Sequence, residues 1–301
     1  VGRSVVVVGS LNMDLVVRTA RLPQAGETLA GRDFALIPGG KGANQAVAAA
    51  RLGAATAMIG CLGDDAFGAQ LRAGLEADGI DCGAVRTAPG VPSGVALIEV
   101  DDAGRNHIVV VPGGNGRLTP AHVAESEPLL AAARIVVLQL EVPLETVRFA
   151  AERARALGKV VVLNPAPAQP LPPELLACVD HLVPNEREAA LLAGLPVDSP
   201  GAAAAAGQRL RALGARNVIV TLGEQGAVSV GAEGTRHHPA RPVNAVDTTA
   251  AGDTFIGGLC AALVEGRALH GAIAFAQAAA AISVTRPGAQ TSIPRRDEVA
   301  P

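Results

Sequence analysis

The run Val246-Asp247-Thr248-Thr249-Ala250-Ala251-Gly252-Asp253-Thr254-Phe255, followed by Ile256-Gly257-Gly258, sets a carboxylate just behind a row of small side chains. Small residues bring a loop to a helix start with little bulk. The backbone N–H groups of Ala250, Ala251 and Gly252 then face a ligand while Asp253 stands in the first turn. Helix N-termini present unpaired donors and a partial positive charge, a setting that suits phosphate or a transition state gathering negative charge. The same setting favours the ionised form of Asp253 and keeps it available as a proton acceptor. An acid in a first turn equally serves to stabilise a helix, so these residues alone leave both readings open.

A second cluster, Gly39-Gly40-Lys41-Gly42-Ala43-Asn44-Gln45, is rich in glycine and amide. It is not a Walker A loop, because Ala35 takes the first glycine position and Gly42 follows the lysine. The dinucleotide fingerprint GxGxxG is broken by Gln45, and Leu36-Ile37-Pro38 do not make the strand that should precede it, which leaves an oxidoreductase a weak alternative. The glycines Gly39, Gly40 and Gly42 let backbone approach a polar molecule closely, and Lys41 and Asn44 supply donors for its hydroxyls. A plain glycine turn before a helix accounts for the same letters.

Further candidates lie at the ends of expected strands. Val5-Val6-Val7-Val8 reads as a strand buried on both faces and central in a parallel sheet. Asn12 and Asp14 follow its carboxyl end, where open α/β sheets bind ligands. Thr221-Leu222-Gly223-Glu224-Gln225-Gly226 follows another strand and can wrap N–H groups around phosphate. Pro184-Asn185-Glu186-Arg187-Glu188 places Asn185 and Glu188 one helical turn apart, able to support a hydrated magnesium ion indirectly or simply to begin a surface helix.

The elements that must position these groups alternate with regularity. Residues 46–52 read as an Ala-rich helix closed by Gly53, residues 57–60 as a strand and residues 66–78 as a helix. The second half repeats strand and helix: 135–140 then 144–157, 160–163 then 174–177, 181–183 then 186–193, an Ala-rich helix to Leu213 and a strand at 218–221. Such alternation predicts βαβ units, a mainly parallel sheet and helices on both faces. Two β-rich excursions interrupt it, at 15–37 and at 91–112, the second containing a hairpin around Asp101-Asp102-Ala103-Gly104. They are expected to pair into a small lid over a core made of 1–14, 38–90 and 113–301. His237-His238 reads as a solvated turn, and the tail after Ile293 as too short for a full final helix.

Composition excludes several classes of function. A net charge of −3 gives no broad basic field for nucleic acid, and five Phe with no Trp or Tyr leave few stacking platforms. No uncharged apolar run reaches the roughly 18 residues that span a bilayer, and no leader opens the chain, so a cytoplasmic enzyme is expected. Cys61, Cys82, Cys178 and Cys260 lack ligand or framework spacing and read as reduced core thiols.

Taken together, Asn12 and Asp14, GGKGANQA from Gly39, Asn164-Pro165-Ala166-Pro167-Ala168, Pro184-Asn185-Glu186, Thr221-Leu222-Gly223 and DTTAAGDTF from Asp247 resemble the PfkB-type carbohydrate kinases along essentially the whole chain. GGKGANQ with NPAPA points to the ribokinase branch of that family. The resemblance implies a three-layer α/β/α sandwich with a small β-sheet lid, and transfer of phosphate from ATP to a sugar hydroxyl, the 5-hydroxyl of D-ribose. By the same resemblance Asp253 is the catalytic base and Ala250, Ala251 and Gly252 form the anion hole. Asn12, Asp14, Gly40, Lys41, Gly42, Asn44 and Glu141 hold the sugar. Asn185, Thr221, Gly223, Glu224, Gly226, Gly252 and Gln277 line the nucleotide site, and Asn185 and Glu188 tune the response to magnesium. Potassium is held near the anion hole by Asp247, Thr249, Ser283, Arg286, Gly288 and Ser292, largely through carbonyls. The resemblance also implies a homodimer through the lid. The alternatives that remain are a deoxyribose, fructose or nucleoside kinase of the same family, and a sugar-binding regulator without turnover, against which the intact Asp253 argues.

Overall fold

A computed structural model describes residues 5–299. The chain opens with β1 (Val5–Val8), β2 (Asn12–Arg18) and β3 (Asp33–Gly39), then α1 (Lys41–Arg51), β4 (Thr56–Gly63), α2 (Ala66–Ala77) and β5 (Asp81–Ala88). Next come β6 (Gly94–Val100), β7 (Asn106–Val111), α3 (Pro120–Glu125), α4 (Glu127–Ala132), β8 (Ile135–Leu138), α5 (Leu144–Ala156) and β9 (Val160–Leu163). The remainder comprises α6 (Pro173–Leu176), β10 (His181–Leu182), α7 (Glu186–Ala193), α8 (Pro200–Ala212), β11 (Asn217–Thr221), β12 (Ala227–Gly231), β13 (Gly234–His238), α9 (Ala251–Val264) and α10 (Leu269–Ser283).

Nine strands form one sheet in the order β13-β12-β11-β10-β9-β8-β1-β4-β5, with parallel pairings throughout except for the two antiparallel ones that β12 makes with β11 and β13. The alternation of side chains along β1 explains the three layers. Val5 and Val7 pack with α1, α9 and α10, while Val6 and Val8 pack with α5 and α8 on the other face. Buried β-branched strands of this kind form only where helices cover both faces, so the fold is the three-layer α/β/α sandwich expected.

The two excursions build a second sheet, β3-β2-β6-β7, in which β2 pairs parallel to β6 and the outer pairings are antiparallel. Its strands include Asn12–Asp14 and Pro38–Gly39 as well as residues within 15–37. Four local readings are corrected. Leu36-Ile37-Pro38 does belong to a strand, with Pro38 opposite Met13, because β3 is an edge strand and proline is tolerated there. The helix read from Ala46 begins at Lys41, since Gly40 caps it with φ 87°. His237 and His238 lie in β13 rather than in a turn, and His238 is buried against Ser229 at 2.9 Å. Finally, β5 and the β12–β13 hairpin are strands that the periodicity does not announce, because β5 alternates only irregularly between buried and exposed residues and β13 is largely polar. All four cysteines are free, and Cys61, Cys82 and Cys260 are buried. No helix among the described residues is long and apolar enough to cross a membrane.

Candidate active site

Asp253 is the third residue of α9, and two neighbouring amides of α1 hold its carboxylate. Asn44 Nδ2 donates to Oδ2 at 3.0 Å and Gln45 Nε2 to Oδ1 at 2.9 Å. The two helices meet closely because of small residues: a Cβ on Gly257 would stand 2.3 Å from Ala48 Cβ and 2.6 Å from the Ala49 nitrogen. Chain entry to α9 is made by Ala250 with φ 57°, a left-handed conformation that costs a non-glycine residue about 1–2 kcal/mol. Such strain is held where the surrounding structure fixes it, commonly beside a ligand site. Of the three amides assigned to the anion, that of Ala251 donates to the Thr248 carbonyl at 3.2 Å and closes the turn. Gly252 and Asp253 follow it in the first turn, where amides lack intrahelical acceptors.

Four carboxylates, Asp14, Glu141, Glu188 and Asp253, surround Lys41. Desolvation works against the lysine's charge, but Asp253, Glu141, Glu188 and Asp14 outweigh it and raise its pKa, so it remains a cation. Burial pushes Asp14 up to about 7, reinforced by Glu141 and Asp253 and opposed by Lys41. Glu141 accepts the Ser10 hydroxyl at 2.5 Å and the Lys41 N–H at 3.0 Å, which ties the start of α1 to the loop after β8. Gly40 is required there, since a Cβ would lie 2.7 Å from the Asn12 nitrogen. Ser10 Oγ in turn accepts the Gly42 N–H at 3.2 Å. Asn12 Oδ1 accepts from Asn115 Nδ2 at 2.7 Å. Asn44 Oδ1 is buried and has no partner in the protein among the described residues.

Two cavities meet at Thr221, Thr248, Ala251 and Gly252. The larger, about 790 Å³, is lined by Thr221, Gly223, Glu224, Gly226, Gly252 and Gln277 together with apolar Val243, Phe255, Ala280 and Val284. Gln277 Nε2 donates to the His238 carbonyl at 2.8 Å, which holds the glutamine at the cavity wall. The smaller, about 200 Å³, is lined by Lys41, Asn185, Glu188 and Asp253 among others. Asn185 therefore belongs to the small cavity and not to the large one. It caps α7: its Oδ1 accepts the Glu188 N–H at 2.9 Å, and its own N–H donates to Glu188 Oε2 at 2.9 Å. Desolvation raises the Glu188 pKa despite that hydrogen bond.

Asp247 accepts the N–H groups of Thr249 at 2.9 Å and Gly288 at 2.8 Å. Desolvation opposes its charge, but these hydrogen bonds prevail and lower its pKa. The carboxylate thus draws the loop before α9 onto the segment after α10, the two stretches whose carbonyls were assigned to a cation. Ser283 and Arg286 join within that segment, Arg286 N–H donating to Ser283 O at 3.1 Å, while the Arg286 guanidinium turns away to Glu298. Ser292 Oγ is engaged with Ala289 O at 2.8 Å. Among the described residues no group of three or more His, Cys, Asp or Glu is placed to hold a metal ion.

Three residues at the site had no role in the sequence reading: Gln45, Gln139 and Asn115. Gln45 was visible only as the residue that breaks GxGxxG, and a single amide after a strand, such as Gln139, is indistinguishable from any loop residue.

Residues 3–296 match the family model described as pfkB family carbohydrate kinase. A protein of Haemophilus influenzae named ribokinase is 44% identical over 297 residues, covering 98% of this chain and 97% of that one. A deoxyribokinase of Salmonella typhi is 42% identical over 291 residues, covering 96% of this chain and 95% of that one. Among solved structures, Arabidopsis thaliana ribokinase complexed with ribose and ATP superposes with a TM-score of 0.93 at 33% identity, covering 99% of this chain and 98% of that chain.

Proposed function

The chain belongs to the pfkB family of carbohydrate kinases, and from that membership we propose that it transfers the terminal phosphoryl group of ATP to the 5-hydroxyl of D-ribose. The observation that carries this reading is the position of Asp253, held by Asn44 and Gln45 at the start of α9 where the two cavities meet. Ribose lies against Asp14, Asn12, Asn44 and Lys41, and ATP fills the 790 Å³ cavity with its phosphates toward Gly252. The 5-hydroxyl oxygen forms a bond to the terminal phosphorus as the bond from that phosphorus to the ADP oxygen breaks. Asp253 receives the hydroxyl proton. A carboxylate is a weak base for an alcohol, yet phosphoryl transfer asks chiefly for positioning and charge stabilisation, which the first-turn amides and Lys41 supply.

Magnesium bound with the nucleotide neutralises phosphate charge. Glu188, whose two oxygens accept from the N–H and the Nδ2 of Asn185, would hold the water of such an ion rather than the ion itself. Asp247 and the carbonyls of Thr249, Ser283, Arg286, Gly288 and Ser292 would hold a potassium ion near the anion hole, where it would supply positive charge. The enzyme acts in the cytoplasm as a homodimer joined through the lid.

A second reading, 2-deoxyribose as acceptor, is favoured by the 42% identity to a deoxyribokinase. A coupled ADP-release assay over D-ribose, 2-deoxy-D-ribose, D-fructose and nucleosides separates the two. The expected result is the highest kcat/KM on ribose. A pocket built from hydrogen-bonding groups rejects a sugar lacking the matching hydroxyl by up to about 10⁴–10⁵. A preference for 2-deoxyribose overturns the ribose reading and leaves the kinase intact.

A further inference from the structure

Behind Asp253 lies a line of buried amides. Gln45 Nε2 donates to Asp253 Oδ1 at 2.9 Å and also faces Asn164 Oδ1 at 3.2 Å. Its Oε1 accepts from Gln139 Nε2 at 2.6 Å. Gln139 is fully buried, and its own Oε1 has no partner among the described residues. That oxygen presses against Gly9, where a Cβ would lie 2.0 Å from it. Asn164 Nδ2 donates to the Val183 carbonyl at 3.0 Å and lies 3.5 Å from Glu188 Oε2.

The orientations follow from chemistry. An ionised carboxylate only accepts, so Gln45 must present its NH₂ to Asp253 and its carbonyl oxygen away from it. That oxygen then needs a donor, and Gln139 provides one at the expense of leaving its own oxygen unpaired. A buried amide with an unsatisfied oxygen is destabilising, and an apolar side chain in its place would only move the unpaired oxygen to Gln45. What the glutamine supplies is direction: with Gln139 donating, a flipped Gln45 would set NH₂ against NH₂ on one side and oxygen against carboxylate on the other. We propose that Gln139 and Gln45 form an orientation lock, two positioning residues that fix the Asp253 carboxylate for the sugar hydroxyl without touching either substrate. The proposal rests on the reading of Asp253 as the proton acceptor.

The test uses the full-length enzyme and the near-isosteric changes Gln45→Met and Gln139→Met, read as single-turnover rate, KM for both substrates and Tm. Both variants are expected to lose rate, toward the roughly 100-fold that small misplacements of a reacting group cost, with KM little changed. Gln139→Met exchanges one unpaired buried oxygen, its own, for another, that of Gln45, so Tm is expected to change little beside the loss of rate. The double variant matches Gln45→Met alone, because Gln139 acts only through Gln45. A rate for Gln139→Met within about twofold of the parent overturns the proposal, as do additive losses in the double variant. Should Gln45→Met fail to fold, a Gln139→Met variant whose loss lies in KM with the single-turnover rate unchanged overturns it alone. Asp253→Asn serves as the control: full turnover there removes the underlying reading, whereas its loss beside a normal Gln139→Met sinks the lock only.

Discussion

Asn44 donates its side-chain NH₂ to Asp253 at 3.0 Å, while its own Oδ1, equally buried, meets no donor within the protein among the described residues. Leaving a buried acceptor unpaired costs about 1–3 kcal/mol. One side chain thus orients the base while carrying an unpaired oxygen of its own. The pairing exists because α1 begins at Lys41, which puts Asn44 and Gln45 on its first turns, and because Gly257 lets α9 come within reach.

Asp253→Asn is expected to lower kcat by roughly 10²–10⁴, the usual worth of a positioned base, while sugar binding by calorimetry persists. Near-normal turnover in that variant removes Asp253 from the mechanism. Asn44→Ala is expected to act on both parameters, raising KM for the sugar and lowering kcat. A change confined to KM would show that its bond to the carboxylate is idle.

Asp14 sets a pH dependence of its own. It must be ionised to accept two sugar hydroxyls, and its pKa stands at about 7, so kcat/KM for the sugar is expected to fall below neutrality. Asp14→Asn flattens that limb at a lower level. The same shift acts on stability with opposite sign. The folded chain holds this proton more tightly than the unfolded chain, so stability is lost as pH rises from the ordinary carboxylate value of 3.8 to about 7. Removing the charge is worth up to about 4 kcal/mol above that window. Thermal melts of Asp14→Asn are expected to exceed the parent at pH 8 and match it at pH 4. Equal melts at both values contradict the burial account.

How much of this was legible in the letters depends on the range of the interaction. The buried run Val5–Val8 and the βαβ alternation announced the sandwich, because parallel strands covered on both faces have no polar period. Glycine and acid at Gly40, Gly42, Gly252 and Asp253 announced a ligand at helix starts. What stayed hidden was set by tertiary contact: Pro38 reads as a strand breaker until β3 is known to be an edge, and Gln45, Gln139 and Asn115 gain meaning only when distant segments meet. Asn185 and Glu188 were legible as a helix start, and that capping bond is present, but their position in the small cavity depends on α7 facing α9 across the sheet end.

Asp247 links the loop before α9 to Gly288 and stays ionised, which suits a monovalent cation bound mainly by carbonyls. Turnover is expected to be several-fold faster in potassium than in sodium-only buffer, and Asp247→Ala to lose that difference. Equal parent rates in the two buffers dispose of the cation site. Loss of activity in Asp247→Ala with the potassium effect intact would assign Asp247 to loop structure alone.

The lid sheet exposes an unusual amount of apolar surface on both faces. Leu36, Leu97 and Val109 lie in one cross-strand row with Leu15, while Val110 and Ile108 stand on the opposite face in register with Ala96 and Ile98. Phe34 is 57% exposed, Ile108 54% and Val109 59%. Monomers rarely leave contiguous apolar patches of more than a few hundred Å² in water, so two lids are expected to cover each other. A symmetric dimer needs roughly 800 Å² from each partner, which sheets of this size can furnish. Leu97→Lys and Val109→Glu, neighbours on the face that carries Leu36, each place a charge at the centre of such a contact. Sedimentation equilibrium is expected to give a dimer for the parent and a monomer for either variant, with KM for the sugar raised because Asp14 sits on β2 of the same sheet. A parent that sediments as a monomer at micromolar concentration ends the dimer proposal. A dimer that survives both charges moves its interface away from the lid.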